Sequence, residues 1–300
     1  MEEITRARDS YNNLDSYDDE VSIVNDLLTG AKRVENELLE EFKQVLIKLC
    51  ELYNQIFPFY YPHNVLNEAE LEKLILSLNY DTIDTEIQKY IDYASAKLER
   101  LQTEKIVAWL ILDYELTAQK TTQSIGTKYQ DLLSLPAKQE IITQSWCDDN
   151  KTFLDRIKAN TKDMDEKLRY VIVEGIRCGW SMDKMTEVFR EITGAAAYKA
   201  QRLIRTETMA VYGKATRETF LANGVRWVEI IGDAACGGIC SNYVGQKIDL
   251  LIARVGKELP PYHPNCACSF CAYNNFSRKS DKSDLENISK FNITIVKWGS

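Results

Sequence analysis

Apolar residues recur at three- and four-residue intervals through most of the first two thirds of the chain. Val34, Leu38, Leu39, Phe42, Val45, Leu46, Leu49, Leu52, Tyr53 and Ile56 form one stripe, which predicts an amphipathic helix that Pro58 stops. The polar, acidic start around Asp15–Glu20 reads as a loose arm leading into it. Asn67 is placed to cap a second helix carrying Leu71, Leu74, Ile75 and Leu78. Ile83–Leu133 contains no proline and one glycine, Gly126, which predicts a long helix, broken once at most. Pro136 marks a domain boundary. Beyond it Leu168, Val171, Ile172 and Ile176 stripe a helix that Gly179 ends, and Ser181 caps the next. Gly194 is read as separating that helix from another over Ala195–Leu221, closed by Asn223-Gly224.

The period then shortens. Val225–Ile231 alternates as a strand, Gly245 marks a turn, and Ala267–Tyr273 reads as a further strand. Residues 277–290 are polar like a linker, and Phe291–Trp298 alternates as an edge strand. The expected fold is mainly α. A helical bundle or arm over 1–135 is followed by a smaller α+β domain with short strands over 136–276, then a linker and C-terminal strand over 277–300.

Chain length and composition change this picture little. Three hundred residues with a 45% hydrophobic fraction can bury a sizeable core, and the formal net charge of −8 argues against a simple nucleic-acid coat. The first residues carry no apolar segment of a secretory signal, and no apolar run is long enough to span a bilayer. No membrane is therefore expected, and the cysteines are expected to be reduced thiols.

Cysteine placement is the most informative chemistry. Five of the eight cysteines and one of the two histidines fall between Cys236 and Cys271. The order is Cys236-Gly-Gly-Ile-Cys240, then His263-Pro-Asn-Cys266-Ala-Cys268, then Cys271. Two clusters of soft ligands joined by a folding-back segment are what a tetrahedral zinc site needs. The candidate ligands are Cys236, Cys240, His263, Cys266 and Cys268, of which Cys236, Cys240, His263 and one of Cys266 or Cys268 make the favoured set, with Cys271 in reserve. Four of them would close a structural site with no position open to water. Two competing readings are buried thiols beside a turn, and Cys266 as a nucleophile activated by His263. Cys50, Cys147 and Cys178 stand apart and read as buried structural thiols.

A second informative stretch is Arg202-Leu-Ile-Arg205-Thr206-Glu207, on a helix that also carries Lys199, Lys214 and Arg217. Arg205 and Glu207 are two apart, so they are expected to pair with neighbouring elements and not with each other. The basic helix could touch DNA or lock domains together.

These residues together resemble a known family. Arg202-Leu-Ile-Arg205-Thr206-Glu207, Gly224-Val225, Asp233, Cys236, Cys240, Gly245 and Pro260-Pro261-x-His263-Pro264-Asn265-Cys266-x-Cys268 look like the phage head morphogenesis domain. That domain belongs to the minor head proteins of tailed phages, of the Mu F type. Trp146 and Phe153–Ile157 are similar to the start of the domain, so the resemblance covers about 140–273. Two positions depart from the family pattern. Three residues separate Cys236 from Cys240 where the family has two, and Ala267 stands where the family carries arginine. The resemblance implies a non-enzymatic minor capsid protein that joins the portal during head assembly in the host cytoplasm and stays inside the virion. Expected partners are the portal protein, the major capsid or scaffolding protein, and packaged DNA. The alternatives are a zinc-stabilised nucleic-acid-binding factor and a phage-derived toxin or enzyme.

Overall fold

The computed structural model describes residues 14–60, 85–127, 133–232 and 238–273. Five helices fill most of it: α1 (Leu14–Tyr60), α2 (Thr85–Ser124), α3 (Leu135–Thr143), α4 (Phe153–Arg177) and α5 (Met182–Ala222). A small antiparallel sheet follows, built from β1 (Trp227–Ile231), β2 (Lys247–Asp249) and β3 (Ser269–Ala272) in the order β2-β1-β3. The molecule is thus mainly α, with short strands at its C-terminal side. The helix expected after Asn67 and the strand over Phe291–Trp298 lie outside the described residues.

Local chemistry sets several boundaries. Thr152 and Asp155 form a reciprocal capping box at the start of α4. Ser181 accepts the Lys184 N–H to start α5. Gly224, at φ +80°, ends α5, and the Val225 N–H returns to Phe220 O at 2.9 Å. Gly126, at φ 71°, does the same for α2, which runs unbroken from Thr85 to Ser124.

Three boundaries differ from the sequence expectation. The acidic segment Asp15–Glu20 is not a loose arm: α1 begins at Leu14. Here Glu20 is wholly buried, and Ile23, Val24 and Leu27 pack on Met209 and Tyr212 of α5. Pro58 does not stop α1, which continues to Tyr60. A proline in the last turn removes one ladder bond near an end that is already losing them. Gly194 does not break α5, which is a single 41-residue helix. A glycine costs a helix about 1 kcal/mol relative to alanine. Phe189, Ala196 and Ala197, buried on either side of it, outweigh that cost.

The core crosses residues 135/136 without a break. Leu49 and Tyr53 of α1, Ile91 and Leu98 of α2, Leu168 and Ile172 of α4, and Phe189 of α5 share one cluster. A second joins Leu38, Ile106 and Leu110 to Ile142, Phe153, Ile157 and Ile204. The long helix α5 packs against α1, α2 and α4. Its last turns turn Phe220 onto Val228, Ile230 and Phe270 of the sheet. No helix among the described residues is long and apolar enough to cross a membrane.

Candidate metal centre

Three short pieces of chain deliver the sulfurs. Cys240 sits on a one-turn 3-10 helix, Ile239–Asn242. Cys266 closes a turn in which its N–H donates to His263 O at 3.1 Å, with Asn265 at φ 61°. Asparagine tolerates that left-handed conformation better than most residues. Cys268 directly precedes β3. All three thiols are buried, and their Sγ atoms lie within 4.8 Å of one another. The Cys240 and Cys266 sulfurs are 3.6 Å apart. This buried trio can hold a metal ion.

His263 joins the trio from one side. Its Nε2 lies 2.9 Å from Cys240 Sγ, while Nδ1 lies 2.8 Å from Pro264 O. A carbonyl only accepts, so Nδ1 carries the proton and Nε2 presents its lone pair to the sulfurs. Such a backbone contact also fixes the ring orientation of a ligating histidine. With that backbone carbonyl on Nδ1, no carboxylate among the described residues orients the ring for the nucleophile reading of Cys266.

Electrostatics favours at least one thiolate. A hydrogen bond from Cys268 lowers the Cys266 thiol well below its ordinary range, against the opposing effect of burial. The same bond, together with burial, raises Cys268. A thiolate is the form that ligates metal.

Two further contacts shape the site. Tyr262 packs against the three sulfurs and stacks on Tyr243 with ring centroids 4.1 Å apart. Gly232 allows the end of β1 to approach, since a Cβ there would lie 2.7 Å from Cys268 Sγ. The sequence reading points to neither the tyrosine stack nor Gly232, although Gly232 directly follows the predicted strand Val225–Ile231.

The sequence candidates are thus placed as follows. Cys240, Cys266 and Cys268 come together, with His263 against Cys240. Cys236 lies outside the described residues. Cys271 is buried on β3 opposite Glu229 and is not one of the clustered thiols. Of the isolated cysteines, Cys50 and Cys147 are half-buried, whereas Cys178 is exposed at the C-cap of α4, contrary to the expected burial.

The cluster is tied to the bundle through residues from distant parts of the chain. The Asn265 N–H donates to Thr206 Oγ1 at 3.1 Å. The Trp146 indole N–H donates to Glu207 Oε2 at 3.0 Å. Burial raises the Glu207 carboxyl to about 6, against the lowering effect of the Trp146 bond. Arg205 reaches Glu35 of α1, with Nη2 and Oε2 3.0 Å apart. Arg205 and Glu207 therefore pair outward, as their spacing predicts.

Three further cations of α5 are also committed. Lys199 pairs with Asp163, Lys214 donates to Ile141 O and Gln144 O, and Arg217 donates to Ala253 O and Leu250 O. This helix therefore locks elements together more than it presents an open basic face. In comparisons with known proteins, no protein-family model, no curated protein and no solved structure matches this chain.

Proposed function

We propose that this chain is a minor head protein of a tailed bacteriophage, with a structural zinc ion closing its C-terminal module. The observation that carries the reading is convergence. The motif residues that resemble the head morphogenesis domain are scattered from Trp146 to Cys268. Four of them form two direct contacts on neighbouring residues of α5, Trp146–Glu207 and Thr206–Asn265. These contacts between distant motif residues support the reading.

Zinc is the metal that suits this donor set. Three thiols and one imidazole form a soft Cys3His group of the kind structural zinc sites use. A tetrahedral ion at about 2.3 Å from sulfur and about 2.0 Å from nitrogen sets S···S edges of about 3.8 Å and S···N edges of about 3.5 Å. The Cys240–Cys266 edge of 3.6 Å already fits. The Cys240–His263 edge of 2.9 Å is shorter, so the imidazole has to withdraw. With Cys240, His263, Cys266 and Cys268 as ligands, the ion would fix the loop before β3 against the 3-10 turn. Its role would be structural.

On this reading the long α1, α2 and α5 bundle supplies the surface for the portal and for capsid or scaffolding protein during assembly in the host cytoplasm. The chain then remains inside the head. The test is co-expression with the portal protein of the same phage, followed by mass spectrometry of purified virions. The expected result is co-purification with the portal and low-copy presence in particles. Absence from particles would overturn the assignment.

A further inference from the structure

We propose that the cleft between α5, the α3–α4 loop and the loop after β2 is a binding site for a phosphate group. The cleft has a volume of about 440 Å³, and it is independent of the cysteine cluster. Its residues include Trp146 from the α3–α4 loop, Lys214 and Arg217 from α5, and Arg254 and Lys257 from the loop after β2.

The two α5 cations are held in place by backbone carbonyls. Lys214 Nζ donates to Ile141 O at 2.8 Å and Gln144 O at 3.0 Å. Arg217 donates from Nε to Ala253 O and from Nη2 to Leu250 O, both at 2.9 Å. Backbone carbonyls fix these heads but carry no formal charge, so these bonds alone do not neutralise them. A lysine head has three donors and an arginine head five, so each keeps donors for an incoming acceptor. Burial presses both below their ordinary pKa range, the mark of a partly desolvated cation whose charge is not fully compensated.

Glu218 lines the cleft and attracts both cations, and Glu207 attracts Lys214. The hydrogen bonds of these two carboxylates go elsewhere: Glu218 accepts from Tyr114 at 2.6 Å, and Glu207 accepts from Trp146. On the opposite wall Arg254 and Lys257 are mostly exposed and reach only Glu258, at 4.0 and 3.8 Å. Asp148 at the edge is the remaining acidic lining residue. The walls are closely fitted: Gly256, at φ +88°, lies so near Trp146 that a Cβ would sit 2.4 Å from the Trp146 carbonyl oxygen.

A phosphate offers only acceptor oxygens and a charge, which matches pre-positioned donors in a lining where four cations, Lys214, Arg217, Arg254 and Lys257, face two carboxylates, Asp148 and Glu218. The net charge of −8 makes the molecule a poor general polyanion binder, so a local positive cleft selects for a discrete group. That group could be the backbone phosphate of DNA or a free phosphate compound.

The test uses the full-length protein at low salt. Pyrophosphate is titrated while tryptophan fluorescence is followed, and a short fluorescent DNA duplex is titrated by anisotropy at several salt concentrations. The informative variant is R254Q/K257Q, whose exposed heads hold no loop carbonyl, with its melting temperature checked against wild type. We expect wild type to bind and the variant to bind about tenfold more weakly. If the duplex is the ligand, the salt slope falls by about 2, one for each removed cation. Binding of pyrophosphate without the duplex assigns the site to a free phosphate compound. Failure of wild type to bind either probe, or unchanged affinity in the folded variant, overturns the proposal.

Discussion

Tyr212 donates its hydroxyl proton to Glu20 at 2.6 Å, joining two side chains that are both fully buried and 192 residues apart. The same hydroxyl lies 2.6 Å from Ser269 Oγ, the residue after Cys268. One phenol therefore ties the first turns of α1, the central helix α5 and the strand β3. The acidic segment therefore has an anchor in the core: the buried Glu20 carboxyl holds Tyr212.

The Glu20 carboxyl makes stability depend on pH. Burial raises it from 4.5 to about 7, while the hydrogen bond from Tyr212 pulls the other way, and its Oε1 has no hydrogen-bond partner. The folded state thus prefers the protonated acid. Its stabilisation is complete below about pH 4.5 and is lost as pH rises to about 7. Glu207 acts in the same direction up to about pH 6. Glu20→Gln keeps an acceptor for Tyr212 and removes the ionisation. At pH 8 it should be more stable than wild type by on the order of 2–3 kcal/mol, with the gap closing towards pH 4. Urea denaturation at pH 4, 6 and 8 measures this. A gap that does not grow with pH would contradict it.

Arg205 and Lys32 both reach the fully buried Glu35 carboxylate. Arg205→Ala leaves that carboxylate with only the half-exposed lysine. Stability should fall by about 2–3 kcal/mol, somewhat less than for a buried charge left with no partner. Adding Glu35→Gln should recover part of the loss, giving a clear coupling in a double-mutant cycle. Strictly additive losses would show that the pair does not act as a unit.

Gly30 of α1 lies against the Trp109 indole, where a Cβ would stand 2.0 Å from the ring. Trp109 cannot easily withdraw, because its indole N–H donates to buried Thr208 at 2.8 Å. Gly30→Ala gains about 1 kcal/mol of helix propensity, but overpacking should outweigh that and leave a net loss of about 1–3 kcal/mol. A thermal melt of the single variant and of Gly30→Ala with Trp109→Phe checks it. The smaller ring should restore stability relative to the single variant if the clash is the cause.

What could be read from the sequence was what is decided locally. Ser181 as a cap and Asn223-Gly224 as a stop depend on a few adjacent backbone groups, and both sit where expected. That soft ligands cluster between Cys236 and Cys271 was also legible, because such residues are scarce enough for their spacing to carry information; the favoured set included Cys236, outside the described residues, and only one of Cys266 and Cys268, whereas both join Cys240. Which thiols meet was less legible. Cys266 and Cys268 follow a turn that Asn265 anchors to Thr206, 59 positions away. The anchoring of Asp15–Glu20 depends on Tyr212, and the continuity of α5 through Gly194 depends on packing against α1, α2 and α4. The phosphate cleft was invisible for the same reason: its walls come from three separate stretches of chain.

The most direct test of the account is the metal content of the full-length protein, purified under reducing conditions without chelator and measured by plasma mass spectrometry alongside protein concentration. The account predicts about one zinc per chain, released when Cys240 and Cys268 are both replaced by serine. A folded wild-type protein carrying no metal would contradict it.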